Sequence, residues 1–121
     1  WNDVDRFLVW NMQGKNLQPV EDAEPAVWLR RLCINATGLP PSLEQIAALN
    51  ESLAAGTWTR DQEVAMIEHV IDSRAFAERQ ARQWLDAARY ADTSGDGTDT
   101  PIPEARYYRD WVIDAIHDDM P

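Results

Sequence analysis

Residues 37–45 read TGLPPSLEQ, and few folds are open to a chain written that way. Gly38 can take the left-handed conformation that closes a helix, and Pro40 and Pro41 cannot continue one. Ser42 and Gln45 then form an S-x-x-Q capping box, whose two side chains satisfy orphan amides at a new helix start. One helix ends and the next begins within a few residues. The same punctuation recurs along the chain. Asn2 or Asp3 can cap a first helix that ends near Gly14, and Pro25 suits the first turn of a second. Thr59 with Gln62 reads as another capping box, Ser73 as the cap of a fifth helix, and Pro101 with Pro103 as the approach to a sixth.

Between these signals the apolar residues recur at helical spacing, which predicts one buried stripe per helix. The expected stripes are Val4, Phe7, Leu8 and Met12; Leu29, Leu32, Cys33 and Ala36, with Trp28 in reach; and Leu43, Ile46, Ala47, Leu49 and Leu53. The fourth is Val64, Ile67, Val70 and Ile71. Phe76, Ala77, Ala81, Trp84, Leu85 and Ala88 mark a fifth helix carried on to Asp92, and Tyr108, Trp111, Val112, Ala115 and Ile116 the sixth. No stretch alternates as a strand does. The expectation is an all-α domain over residues 1–121, a compact bundle of about six helices with an irregular Gly/Asp-rich loop before the last. Trp58, Trp84 and Trp111 are expected as packing anchors, each with one N–H to satisfy.

With 121 residues, 45% of them hydrophobic, the chain can bury a core without staples. No apolar run approaches the about eighteen residues a membrane span needs. Eleven basic residues face twenty-one acidic ones, a net charge of −10, so phosphate backbones and anionic lipid are poor partners. Residues 91–121 hold two arginines and eight carboxylates. That acidic end can attract a cation or a basic protein; the plainer reading is a solvated surface. The single cysteine, Cys33, excludes an internal disulfide, a four-cysteine zinc site and a C-x-x-C-H haem attachment, and its apolar setting fits a small buried hydrophobe. The chain starts at Trp1 with neither an initiator Met nor a leader pattern, and reads as part of a longer protein.

Two constellations can carry chemistry. In the loop Asp92-Thr93-Ser94-Gly95-Asp96-Gly97-Thr98-Asp99, the oxygen-bearing Asp92, Ser94 and Asp96 alternate and Gly97 falls where a calcium loop turns sharply. Thr98 and Asp99 add further oxygens. The twelfth position, however, is Pro103, which has no carboxylate, although Glu104 is adjacent. Calcium or a similar hard cation is one reading of Asp92, Ser94, Asp96, Thr98 and Asp99; a solvated turn with Asp caps is the other. In the second constellation Arg82, Asp86 and Arg89 fall at i, i+4 and i+7 on one helix flank. With Asp92, Arg109 and Asp110 they can join the last two helices by Arg–Asp pairs near the loop, or anchor an anionic ligand in a cleft under it.

A hydrolytic pair drawn from Asp86, Asp92, Asp96 and Asp99 is a further possibility for glycoside chemistry. Neighbouring arginines oppose it, because they lower a carboxylate pKa and a general acid needs it raised. His69 and His117 sit on charged helical faces with no local metal motif. There is no G-x-S-x-G, no P-loop and no Cys–His pair, so no catalytic residue is assigned.

VDRFL, RRLCINATGLPPS, DSRAFAERQARQWLDAARYADTSGDGTD and YYRDWVIDAI occur in that order over nearly the whole chain. Together they resemble the domain of unknown function found in planctomycete and related bacterial proteins beside planctomycete-type cytochrome c modules. The resemblance implies a module of a large exported, extracytoplasmic protein, with haem c in a neighbouring module rather than in this chain. It implies neighbouring domains of the same protein as partners, a c-type cytochrome among them, and a polysaccharide as a possible substrate. The leading expectation is therefore a non-catalytic helical module that packs against its neighbours and presents a partner or substrate. The alternative is a hydrolytic or calcium-dependent polysaccharide site built on the loop after Asp92.

Overall fold

The computed structural model describes residues 2–121 and leaves Trp1 outside the described residues. Six helices follow one another: α1 (Asp3–Gln13), α2 (Pro25–Thr37), α3 (Leu43–Ala54), α4 (Arg60–Ile71), α5 (Arg74–Ala87) and α6 (Ala105–His117). Their starts are where the local chemistry puts them. Asn2 and Asp5 form a reciprocal capping box on α1, as do Ser42 and Gln45 on α3, and the Ser73 hydroxyl accepts from the Phe76 N–H. Pro25 opens α2 at a position that needs no amide donor. The box expected at the start of α4 does not form: Thr59 is the N-cap but its side chain accepts no capping hydrogen bond.

Helix α2 is the hub, packing against α3, α4 and α5, while α5 makes its largest interface with α6. Two apolar clusters result. Leu29, Cys33, Leu49 and Val70 form the first, with Trp28, Leu32, Ala36, Trp58 and Met66 partly buried around it. The Trp28 and Trp58 rings meet edge to face at 5.7 Å, a geometry that suits the ring quadrupoles. Ala81, Leu85 and Val112 form the second cluster, backed by Tyr90, Ile113 and Ile116. Ala81 has no exposed surface, so its small side chain lets α5 and α6 approach closely. Cys33 is buried among apolar neighbours, which pushes its thiol pKa up.

Several expected stripes face water. On α1, Val4, Phe7, Leu8 and Trp10 are exposed, and the helix packs against none of the other five. On α3, Leu49 is buried while Leu43, Ile46 and Leu53 are exposed, so this helix meets the core on a narrow edge. Val64 and Ile71 of α4 are exposed, and Met66 packs inward with Val70. Trp84 and Trp111 are not core anchors: they are 61% and 56% exposed. The physical reason is shared. Periodicity marks an apolar face, but burial also requires another element to lie against it, and five helices cover only part of what six display.

Candidate functional site

Helix α5 ends at Ala87, two residues sooner than its charged flank requires. The Arg89 N–H donates to the Asp86 carbonyl (3.1 Å) and the Tyr90 N–H to the Leu85 carbonyl (2.9 Å), the paired hydrogen bonds of a Schellman close. Arg89 occupies the left-handed position of that motif, with φ 55°. Tyr90, next in sequence, packs back onto the cluster that contains Leu85. This corrects the expected flank of Arg82, Asp86 and Arg89. Arg89 lies beyond the helix, all three side chains are exposed, and none of them is in an ion pair among the described residues.

Because a left-handed backbone costs an L-residue about 1–2 kcal/mol, Arg89→Gly is expected to raise the stability of the chain by about 1 kcal/mol. A urea-unfolding midpoint that moves up measures it.

The expected Arg–Asp contacts do form among the other members of that set, Asp92, Arg109 and Asp110. Arg109, on the first turns of α6, reaches Asp92 at 3.5 Å and its neighbour Asp110 at 3.2 Å, tying the start of the loop to the helix after it. Its pKa is raised, chiefly by the Asp110 hydrogen bond. The Tyr90 hydroxyl donates to Asp92, and that bond to a carboxylate holds the phenol above its ordinary range. At the far end of the pair, Arg74 of α5 reaches Asp114 of α6 at 2.9 Å. The Asp114 hydrogen bond is also what raises the Arg74 pKa most. The sequence reading missed this link, since its partners are separated by 40 positions and no local spacing marks them. Only the antiparallel course of α5 and α6 brings them together.

The loop itself is drawn in at its neck. The Ile102 N–H donates to the Asp92 carbonyl (2.8 Å) and the Ser94 N–H to the Thr100 carbonyl (2.9 Å), with an isolated antiparallel bridge between Thr93 and Pro101. Inside, the Asp96 carboxylate accepts from the Thr98 hydroxyl (2.7 Å) and the Thr98 N–H (3.1 Å). The Thr98 and Ser94 hydroxyls hold its pKa below the ordinary carboxylate range, because they bond the charged form. Asp99 accepts from the Thr93 hydroxyl at 3.0 Å. Gly95 supplies one left-handed residue of this turn and Asp99 another.

Each of the three carboxylates thus has a donor of its own within the chain. Among the described residues no group of three or more His, Cys, Asp or Glu side chains converges as a metal site would require. Chelation with EDTA is expected to leave the melting temperature of the chain where it was; a fall on chelation, reversed by added calcium, would put an ion in the loop. His69 and His117 are both exposed, and His117 has only Asp118 beside it, at 3.4 Å.

No curated protein and no solved structure matches the chain. Residues 3–121 match the family described as PSCyt2, protein of unknown function (DUF1549). Since that match covers the chain from the first turn of α1 to the last residue, the chain belongs to this planctomycete cytochrome-associated family of unknown function.

Proposed function

We propose that the chain is a non-catalytic helical module of a larger exported protein, and that it serves by packing against neighbouring domains. The observation that carries this reading is α1. It is amphipathic and well capped, yet Phe7 is 74% and Trp10 72% exposed, and no other helix among the described residues covers them. A helix of eleven residues that packs against no other helix is marginal in water, because isolated helices shorter than about 12–15 residues seldom hold. Its apolar face gains most of its stability only when another surface covers it. A neighbouring domain of the same polypeptide, a c-type cytochrome module among the candidates, is the partner this reading names. The family's association with planctomycete cytochrome c supports this reading and an extracytoplasmic location with it.

No helix among the described residues is long and apolar enough to cross a membrane. The net charge of −10 disfavours an anionic lipid surface, and the α1 face is read as a protein contact. Hydrogen exchange tests the proposal. In the 121-residue chain the α1 amides are expected to exchange rapidly, and in the longer protein to be protected, with Phe7→Asp restoring rapid exchange there. Strong protection of α1 in the short chain, lost together with global stability in Phe7→Asp, would contradict it.

A further inference from the structure

The end of α6 is electrostatically wrong for a helix considered alone. A helix C-terminus carries partial negative charge and favours cations, but residues 110–121 contain Asp110, Asp114, Asp118 and Asp119 and no lysine or arginine. Asp114 and Asp118, one turn apart, repel each other as well. Arg74 offsets Asp114, and His117 alone stands beside Asp118, whose side chain is 69% exposed. Local conflicts of this kind concentrate where a surface has another use.

The same end of α6 lines an apolar cleft that Trp84 of α5 completes. Trp84 and Trp111 line it with Val112, Ala115, Ile116 and Met120. Its volume is about 230 Å³, below the roughly 300–1,000 Å³ of small-molecule sites and better matched to a single large side chain. The cleft is held in shape. Tyr108 stacks on Trp111 at 6.4 Å and meets the Tyr90 ring in a tilted contact at 6.1 Å, so the second indole is backed by a row of rings. At its end, the Asp119 N–H donates to the Ile116 carbonyl and the Met120 N–H to the Ala115 carbonyl, a Schellman close that folds Met120 back over the helix. That close sets Asp118 and Asp119 immediately before a lining residue.

We propose that this cleft is a docking site for a protein segment that inserts one apolar side chain between Trp84 and Trp111 and sets lysines or arginines against Asp118 and Asp119. Preformed aromatic walls with a charged rim are the anatomy of an interface hot spot: the rings give affinity, the rim gives orientation and on-rate. The cleft is separate from α1, so this inference stands whether or not α1 meets a neighbouring domain.

The probe is a short synthetic peptide with a central leucine flanked by lysines, set against the same peptide with glutamates, and read by the indole N–H resonances of the protein. The lysine peptide is expected to shift the Trp84 and Trp111 signals and to bind more weakly as salt rises. Trp111→Ala is expected to weaken it about tenfold or more. Asp118→Asn with Asp119→Asn leaves the fold intact and removes most of the preference for lysine over glutamate. Phe7→Asp leaves the titration unchanged. Equal binding of the two peptides, or unaltered binding in Trp111→Ala, would overturn the proposal. So would a dimer in sedimentation that dissociates in Trp111→Ala, because the occupant would then be a second copy of this chain.

Discussion

Replacing Leu29 with alanine is expected to lower the unfolding free energy by about 2–5 kcal/mol, the range for large-to-small changes at sites that cannot collapse. Leu29 is 1% exposed and lies on α2, the helix that touches α3, α4 and α5. Its removal opens a void among Cys33, Leu49 and Val70, which come from three different helices. None of them can close the gap without leaving another contact. A domain of this size is typically stable by about 5–15 kcal/mol, so the change removes a large share of the total. In urea the midpoint should fall with an unchanged slope, the sign that stability and not the surface exposed on unfolding has changed. A shift no larger than that of a surface substitution would mean that α2 is not the hub.

The sequence was most legible where a residue acts on its own backbone. Asn2, Ser42 and Ser73 cap because their oxygens reach amides two or three residues ahead, and no distant element takes part. Gly38 ends α2 for an equally local reason, with φ 78°. The end of α5 was illegible because a non-glycine residue, Arg89, holds the left-handed position there. Extending α5 through Arg89 followed directly from that, and with it the charged flank of Arg82, Asp86 and Arg89. The inward faces were legible only where a neighbour exists, as on α2. Trp84 and Trp111 fall at the margin of their stripes, and nothing in a linear pattern says which margin a neighbouring helix will cover. The acidic end was legible in bulk, as a surface able to attract a basic protein, and its sharper signal is that carboxylates at 114, 118 and 119 oppose the dipole of the helix they end.

The seam between α5 and α6 is expected to depend on apolar burial, with the arginines contributing little. Leu85→Ala removes a side chain packed against Ala81 and Val112 and should cost about 2–5 kcal/mol. Leu85 retains 9% exposure, which places the loss toward the lower part of that range. The ion pairs that span or flank the seam are open to solvent: the Arg74 and Asp114 side chains are 56% and 57% exposed, and Asp92 opposite Arg109 is 61% exposed. Water and salt screen such pairs, and two side chains lose freedom in making them. Unlike the link at Arg74, the contact at Arg109 belongs to the loop, so its loss should be local to residues 92–102.

Urea unfolding of Leu85→Ala beside the double variant Arg74→Ala, Arg109→Ala decides between the two ways of holding the helices together. A large fall in midpoint for the leucine variant and almost none for the arginine variant is the outcome expected of a seam closed by side chains hidden from water. The reverse order would show that charge, not packing, holds α6 against α5.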